Sequence, residues 1–287
     1  MSQDLFEAAR PRIRGLAYRM LGTLADADDV AQDTWLRWQA AGGMDIANAE
    51  AWLVTAATRL CLDRLRSAAR TREVYPGPWL PEPIVTDSGP EGAAELSDSL
   101  TFGFLLLLDQ LEPVERAVFV LADVFKVPYA EIATTVGRSP AACRQIASRA
   151  RRRLQPDKAP HRAAAGDREL VSGLLRALAS GDVNEVIARL APDVVCLTDG
   201  GPRRRAARRP VVGSSRVTRL LLAVARRDGH LAARSAVVGG LAGAVLWAGD
   251  AVEQVMAVTS EDGVITSVYF VGNPDKFTSV GHPPCID

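Results

Sequence analysis

The sequence is poor in the residues that build metal centres and disulfide frameworks. Its four cysteines, Cys61, Cys143, Cys196 and Cys285, are scattered without a C-x-x-C pair, and three histidines accompany them: His161, His230 and His282. That pattern speaks against a zinc site or a stapled small fold, and no metal or cofactor is expected. Net charge is lacking too, since Lys+Arg and Asp+Glu each total 34. Long apolar runs are missing as well. The longest, Ala236–Ala248, is broken by glycine and too short to cross a bilayer, and the first residues hold no apolar signal-peptide core. The expectation is a soluble cytoplasmic protein, monomeric when free, with no membrane contact.

What is present is length and segregated charge. With 287 residues and 48% of them hydrophobic, the chain can build two or three small domains, each with a core. Acids gather at Asp26–Asp33 and arginines at Arg144–Arg153 and Arg203–Arg209, so local patches matter more than the balance.

The stretch from Val127 to Leu154 is the most informative. Tyr129, Ile132, Ala133 and Val136 recur at helical spacing until Gly137-Arg138-Ser139 interrupts them. Ser139 is placed to N-cap a second helix with Pro140 at its first position. There Cys143, Ile146, Ala150 and Leu154 form an apolar stripe, opposite Arg144, Gln145, Ser148, Arg149 and Arg152. Two short helices, a glycine turn and a polar basic outer face predict a helix-turn-helix whose second helix enters the major groove.

Residues 1–72 read as a helical bundle. Leu5, Ile13, Leu16, Ala17, Met20 and Leu21 mark a first helix ended by Gly22. A second is expected to be capped by Asp26, with Asp28, Asp29, Gln32 and Asp33 on its polar side and Val30, Trp35, Leu36 and Trp38 available for packing. Acids at a helix start complement the dipole, but Asp33 lies two turns in, beyond that effect. A third helix, capped by Asn48 and running to Thr71, carries Trp52, Leu53, Ala56, Leu60 and Leu65, and turns basic at Arg59, Arg64, Arg66, Arg70 and Arg72.

The runs DADDVAQDTWLRW and AWLVTAATRLCLDRLRSA resemble region 2 of bacterial sigma factors of the extracytoplasmic-function group, and LEPVERAVFVLADVFKVPYAEIATTVGRS resembles their region 4. The resemblance implies core RNA polymerase, through its β′ clamp helices and β flap, and promoter DNA as partners. By position it makes Asp28, Asp29, Gln32, Asp33 and Arg37 candidates for polymerase contact. It makes Asn48, Trp52, Arg59, Asp63, Arg64 and Arg66 candidates for the −10 element, although Trp52 is also well spaced for a core role. Arg144, Gln145, Ser148, Arg149 and Arg152 become candidates for the −35 element, with Arg151 and Arg153 on phosphates.

Between these blocks, residues 73–99 are rich in proline, glycine and acid, so they suit a stiff spacer rather than helix or central strand. Trp79 and Leu80 suggest that the spacer docks on something. Trp79-Leu80-Pro81-Glu82-Pro83 resembles the linker motif of a sigma subgroup that carries a SnoaL-like C-terminal domain. Asp199-Gly200-Gly201-Pro202-Arg203 and Asn273-Pro274-Asp275-Lys276-Phe277 resemble that subgroup's D-G-G-G-K and N-P-D-K-L motifs, departing from them at Pro202, Arg203 and Phe277. These motif residues, Trp79–Pro83, Asp199, Gly200, Gly201 and Asn273–Lys276, are interdomain or regulatory candidates.

From residue 166 onward, helices precede strand-like runs at Val194–Thr198, His230–Val238, Ala244–Trp247, Val252–Thr259 and Val264–Phe270, with a helix at Ser215–Arg226 among them, an α+β arrangement. The expected organisation is multidomain: region 2 at 1–72, linker at 73–99, region 4 at 100–158, and a cone-shaped SnoaL-like domain at 166–287. No covalent chemistry is expected, because Asp193, Asp199, His230, Asp250 and Glu253 form no spaced motif. Other readings compete: a dimeric repressor, a helix-turn-helix regulator governed by a small ligand in the C-terminal domain, and a SnoaL-like enzyme.

Overall fold

The structure, a computed structural model, describes residues 2–41, 46, 48–72, 75–86, 101–154, 163, 165–227, 232–278 and 280. The three histidines, Cys285 and residues 87–99 of the connector lie outside that set. Two compact units emerge. The first joins Met1–Val74 to Phe104–Ala159, and the second joins Tyr75–Gly103 to Pro160–Asp287.

In the first unit, helices α1 (Ser2–Leu21), α2 (Leu24–Ala40) and α3 (Ala49–Arg72) form a bundle. Ile13, Leu16 and Met20 of α1, Ala27 and Val30 of α2, and Leu53, Ala57 and Cys61 of α3 are buried. Thr23, not Asp26, caps α2: its hydroxyl accepts the Asp26 N–H at 3.2 Å. Gly22, at φ 81°, ends α1 so sharply that α2 restarts at once, which places Asp26 inside its first turn. Asn48 Oδ1 accepts the Ala51 N–H at 3.0 Å and so caps α3.

Helices α4 (Phe102–Leu108), α5 (Pro113–Phe119), α6 (Tyr129–Val136) and α7 (Pro140–Leu154) follow, with a π-helical turn at Val120–Val124 after α5. Glu112 and Glu115 close a capping box at the start of α5. Gly137 adopts the left-handed conformation (φ 68°) that ends α6, and Ser139 Oγ accepts the Ala142 N–H at 3.2 Å at the start of α7. Helices α5 and α6 and the π-helical turn pack directly on the bundle. Buried Arg116 donates to the Met20 carbonyl at 2.8 Å and pairs with Asp109 at 2.9 Å. Arg12 donates to the Phe125 carbonyl at 3.2 Å, and the Arg12 and Arg19 guanidinium groups lie over the Phe125 ring.

The second unit is α+β. Helices α8 (Ala165–Ser180), α9 (Val183–Ile187) and α10 (Ser214–Arg227) accompany strands β1 (Val85–Thr86), β2 (Leu190–Asp199), β3 (Val211–Val212), β4 (Ala232–Val238), β5 (Leu241–Ala248), β6 (Ala251–Glu261) and β7 (Val264–Val271). The strands form one sheet in the order β1-β4-β5-β6-β7-β2-β3, antiparallel except for the parallel pair β2–β7. Register shifts at Leu190/Val195, Leu246/Trp247 and Thr259/Ser260 are bulges of the kind that curve a sheet. Val171, Leu174, Val186, Val217 and Leu221 of the helices share its core with Val194, Ala244, Met256 and Val268.

The connector departs from a free spacer. Its residues 75–86 belong to the second unit, and Val85 and Thr86 pair with Val238 and Val237 as an edge strand. The Gly239 N–H donates to the Ile84 carbonyl and the Phe102 N–H donates to the Gly239 carbonyl, both at 2.7 Å. Gly239 has φ 50°, and a Cβ there would lie 2.7 Å from that of Phe102, so only glycine admits this approach.

Candidate functional site

Helix α7 presents the side chains expected to face DNA. Arg144, Gln145, Ser148, Arg149 and Arg152 are exposed, while Cys143, Ile146, Ala147, Ala150 and Leu154 are buried. Arg151 and Arg153, expected on phosphates, have carboxylate partners within the chain. Arg151 pairs with Asp123 at 2.7 Å and donates to the Tyr129 hydroxyl at 3.0 Å, and Arg153 lies 3.6 Å from Glu115. Those hydrogen bonds, to Asp123 first and Tyr129 next, raise the Arg151 pKa above its ordinary value. Both arginines fasten α7 to its support.

On α2, Asp28, Asp29, Gln32 and Arg37 are exposed and Asp33 is half-buried. Asp29, Gln32, Asp33 and Leu36 follow helical spacing along one stripe. Leu36 does not pack inward as expected; it is 53% exposed within this acidic stripe. Arg14 of α1 holds Asp28 at 2.5 Å.

The candidates on α3 divide by partner. Arg64 donates to Asp33 at 2.8 Å and to the Asp26 carbonyl at 3.0 Å, which ties a −10 candidate to a polymerase candidate. Trp52 packs its ring against Trp38, with centroids 5.4 Å apart. Asp63 and Arg66 pair with each other at 3.2 Å on the exposed face. Arg59 donates to the Thr134 carbonyl at 3.1 Å and the Thr135 carbonyl at 3.4 Å, at the C-terminal end of α6. Thr55 and Thr135 share a hydroxyl hydrogen bond of 3.1 Å beside it.

In the second unit, the three motifs converge on one buried carboxylate. Asp199 Oδ1 accepts from the Tyr75 hydroxyl at 2.5 Å and the Gly201 N–H at 3.0 Å. Its Oδ2 accepts from the Leu80 N–H at 2.9 Å and from Lys276 Nζ at 2.7 Å. Four donors saturate the carboxylate. Lys276 Nζ also donates to the Leu80 carbonyl and lies 4.0 Å from the centre of the Trp79 ring. Such a pairing answers the desolvation cost of a buried cation. Asn273 Nδ2 donates to the Tyr75 hydroxyl at 3.2 Å, while its Oδ1 accepts the Asp275 N–H. Asp275, which follows Pro274, pairs with Arg203 at 2.9 Å.

Leu80, Pro81, Glu82 and Pro83 are all buried, and the Thr278 hydroxyl donates to the Glu82 carboxylate. A Cβ on Gly200 would lie 2.5 Å from the Arg204 carbonyl, and one on Gly201 2.6 Å from the Asn273 side chain. Sequence reasoning left Tyr75 and Thr278 out of the site, although Tyr75 stands beside the linker motif. Burial, and next the bond to Asp199, raise the Tyr75 pKa above that of an ordinary phenol.

Residues 5–71 match the family Sigma-70 region 2, and residues 103–154 match Sigma-70, region 4. Over 293 residues, 97% of this chain and 94% of the relative, the sequence is 40% identical to the ECF RNA polymerase sigma factor SigJ of Mycobacterium tuberculosis (strain ATCC 25618 / H37Rv). It is 31% identical over 279 residues to the probable ECF RNA polymerase sigma factor SigI of M. tuberculosis (strain CDC 1551 / Oshkosh), covering 94% of this chain and 92% of the relative. The crystal structure of the M. tuberculosis extracytoplasmic function sigma factor SigJ superposes with a TM-score of 0.75 at 37% identity, over 96% of this chain and 98% of that one. These relatives are sigma factors rather than enzymes. Two sigma regions in the expected order, followed by the α+β domain that the SigJ structure shares, place the chain among the extracytoplasmic-function RNA polymerase sigma factors.

Proposed function

We propose that this sigma factor docks on core RNA polymerase through the acidic stripe of α2, reads the −35 element with α7 and the −10 element with α3, and is modulated in cis by its C-terminal domain. The exposed polar face of α7, backed by an apolar stripe, carries the DNA-binding part of this reading. Asp28, Asp29, Gln32, Asp33 and Arg37 meet the β′ clamp helices, while the region 4 helices approach the β flap. For the −10 strand, Asn48 is exposed at the start of α3, and Arg66 offers an exposed cation about 27 Å further along the same helix. The buried Asp199–Lys276 pair supports the cis role, because it binds the connector between regions 2 and 4 to the C-terminal unit.

Run-off transcription with purified core polymerase and the full-length chain tests the proposal. Promoter-dependent transcripts are expected, and they should diminish in the Arg144→Ala and Arg149→Ala variants. A chain that binds DNA but never supports transcription with any core polymerase would overturn it.

A further inference from the structure

The C-terminal unit contains a cavity of about 180 Å³, bounded by the end of β2, α10, β6 and β7. Leu220, Val224 and Phe270 supply its apolar wall, and Thr198, Asp199, Arg204, Arg205 and Gln254 its polar groups. Most of those groups are already engaged. Thr198 exchanges hydrogen bonds with the Ala207 backbone, the Asp199 carboxylate is saturated by four donors, and Arg204 is held by Glu253 at 2.5 Å. Two remain. Among the described residues, the Gln254 amide oxygen is buried without a hydrogen-bond partner, and Arg205, which is exposed, has no carboxylate partner. A buried acceptor with no donor is costly in a protein interior.

We propose that this cavity is a binding site for a single-ring aromatic carboxylic acid bearing a hydroxyl group. The hydroxyl donates to Gln254 Oε1, the carboxylate meets the Arg205 guanidinium, and the ring lies against Leu220, Val224 and Phe270. The size is suitable: an engineered apolar cavity of about 150 Å³ in another protein takes up benzene. Because Asp199 and Gly200 line the same cavity, a bound acid stiffens the strand end that holds Leu80 and Lys276. That coupling rests on the cis-modulation reading, whereas binding itself does not.

The test uses the full chain and three probes, 2-, 3- and 4-hydroxybenzoate, titrated to about 10 mM by calorimetry and NMR, the range expected for so few atoms. At least one isomer should bind saturably, and about tenfold more tightly than benzoate, the worth of one hydrogen bond. Gln254→Leu should abolish that difference. Leu220→Trp, which fills the cavity, should abolish binding altogether while circular dichroism and the thermal midpoint stay near those of the parent chain. If no isomer binds, or if Leu220→Trp leaves binding intact, the site does not exist. Bound probe should also slow hydrogen exchange at the Leu80 amide, and unchanged exchange at saturation would overturn the coupling alone. None of these readouts involves polymerase, so failure here stays distinct from failure of the sigma-factor reading.

Discussion

Lys276 Nζ lies 2.7 Å from Asp199 Oδ2, and their side chains are 4% and 0% exposed. Removing one partner of such a pair leaves an uncompensated buried charge, at a cost of about 3–5 kcal/mol. Asp199→Asn and Lys276→Met should each destabilise the C-terminal unit by that order, and the double variant should lose much less than their sum. Urea unfolding of the single and double variants gives this coupling directly.

The acidic stripe on α2 holds two kinds of carboxylate. Asp29 is exposed, 3.8 Å from Arg64, whereas Asp33 receives a 2.8 Å hydrogen bond from it. Asp29→Lys and Leu36→Asp should weaken core polymerase binding tenfold or more, about 1.4 kcal/mol, and leave the folded domain intact. Asp33→Ala should also cost about 1 kcal/mol of stability. Polymerase pull-down and thermal melting separate the two effects.

The arginines of α7 should divide in the same way. Arg144→Ala and Arg149→Ala should each cost about 1–3 kcal/mol in promoter affinity, and Arg152→Ala should lower the salt slope by about one if it meets a phosphate. Arg151→Ala should instead reduce stability, because its guanidinium is held by Asp123 and Tyr129. Binding isotherms at several salt concentrations, set beside melting curves, decide the assignment.

Arg59 and Thr55 fasten α3 to the end of α6. The −10 and −35 elements are about 25 base pairs apart, roughly 85 Å along B-DNA, so under the proposed assignment of α3 and α7 the α3–α6 contact must open on a promoter. Thr135→Val removes one fastening without touching a DNA candidate. It should increase the open fraction severalfold, read by fluorescence transfer between dyes on α3 and α7. Transfer unchanged from the parent would mean that this hydrogen bond does not hold the two together.

The Tyr75 phenol is raised by burial first and then by its bond to Asp199. Unfolded, it ionises near pH 10. Above that value the unfolded chain gives up a proton that the folded chain keeps, so the stabilisation is complete below about pH 10 and declines as pH rises through the folded value. Tyr75→Phe should flatten this alkaline decline, as measured by urea midpoints across the range. Tyr269, which burial also raises, will contribute a remainder.

Much of this was legible in the sequence because it depends on local rules. Gly137, Ser139 and Pro140 specify the turn and cap of the helix-turn-helix, and the three- and four-residue spacing of Cys143, Ile146, Ala150 and Leu154 specifies its inner face. What eluded sequence reasoning depends on distance along the chain. Tyr75 is 124 residues from Asp199, and no periodicity links a phenol to a carboxylate so far away. β1 and β3 span two residues each, too short to show alternation. The exposure of Leu36 and the internal pairing of Arg151 likewise follow from what packs around them, which composition does not encode.

The edge strand and its neighbours bear on how a truncated chain would behave. Deleting residues 166–287 removes β4 and Gly239, the partners of Val85, Thr86, Ile84 and Phe102, and also Asp199 and Lys276, the partners of Leu80. It exposes Leu80 to water and restores to residues 73–103 an extended contour of about 100 Å. Such a truncation creates a long, sticky tether as well as removing a domain, and its phenotype mixes both changes. Single substitutions at Asp199 or Lys276 leave the rest of the domain in the chain, so they report on the clasp with less confusion.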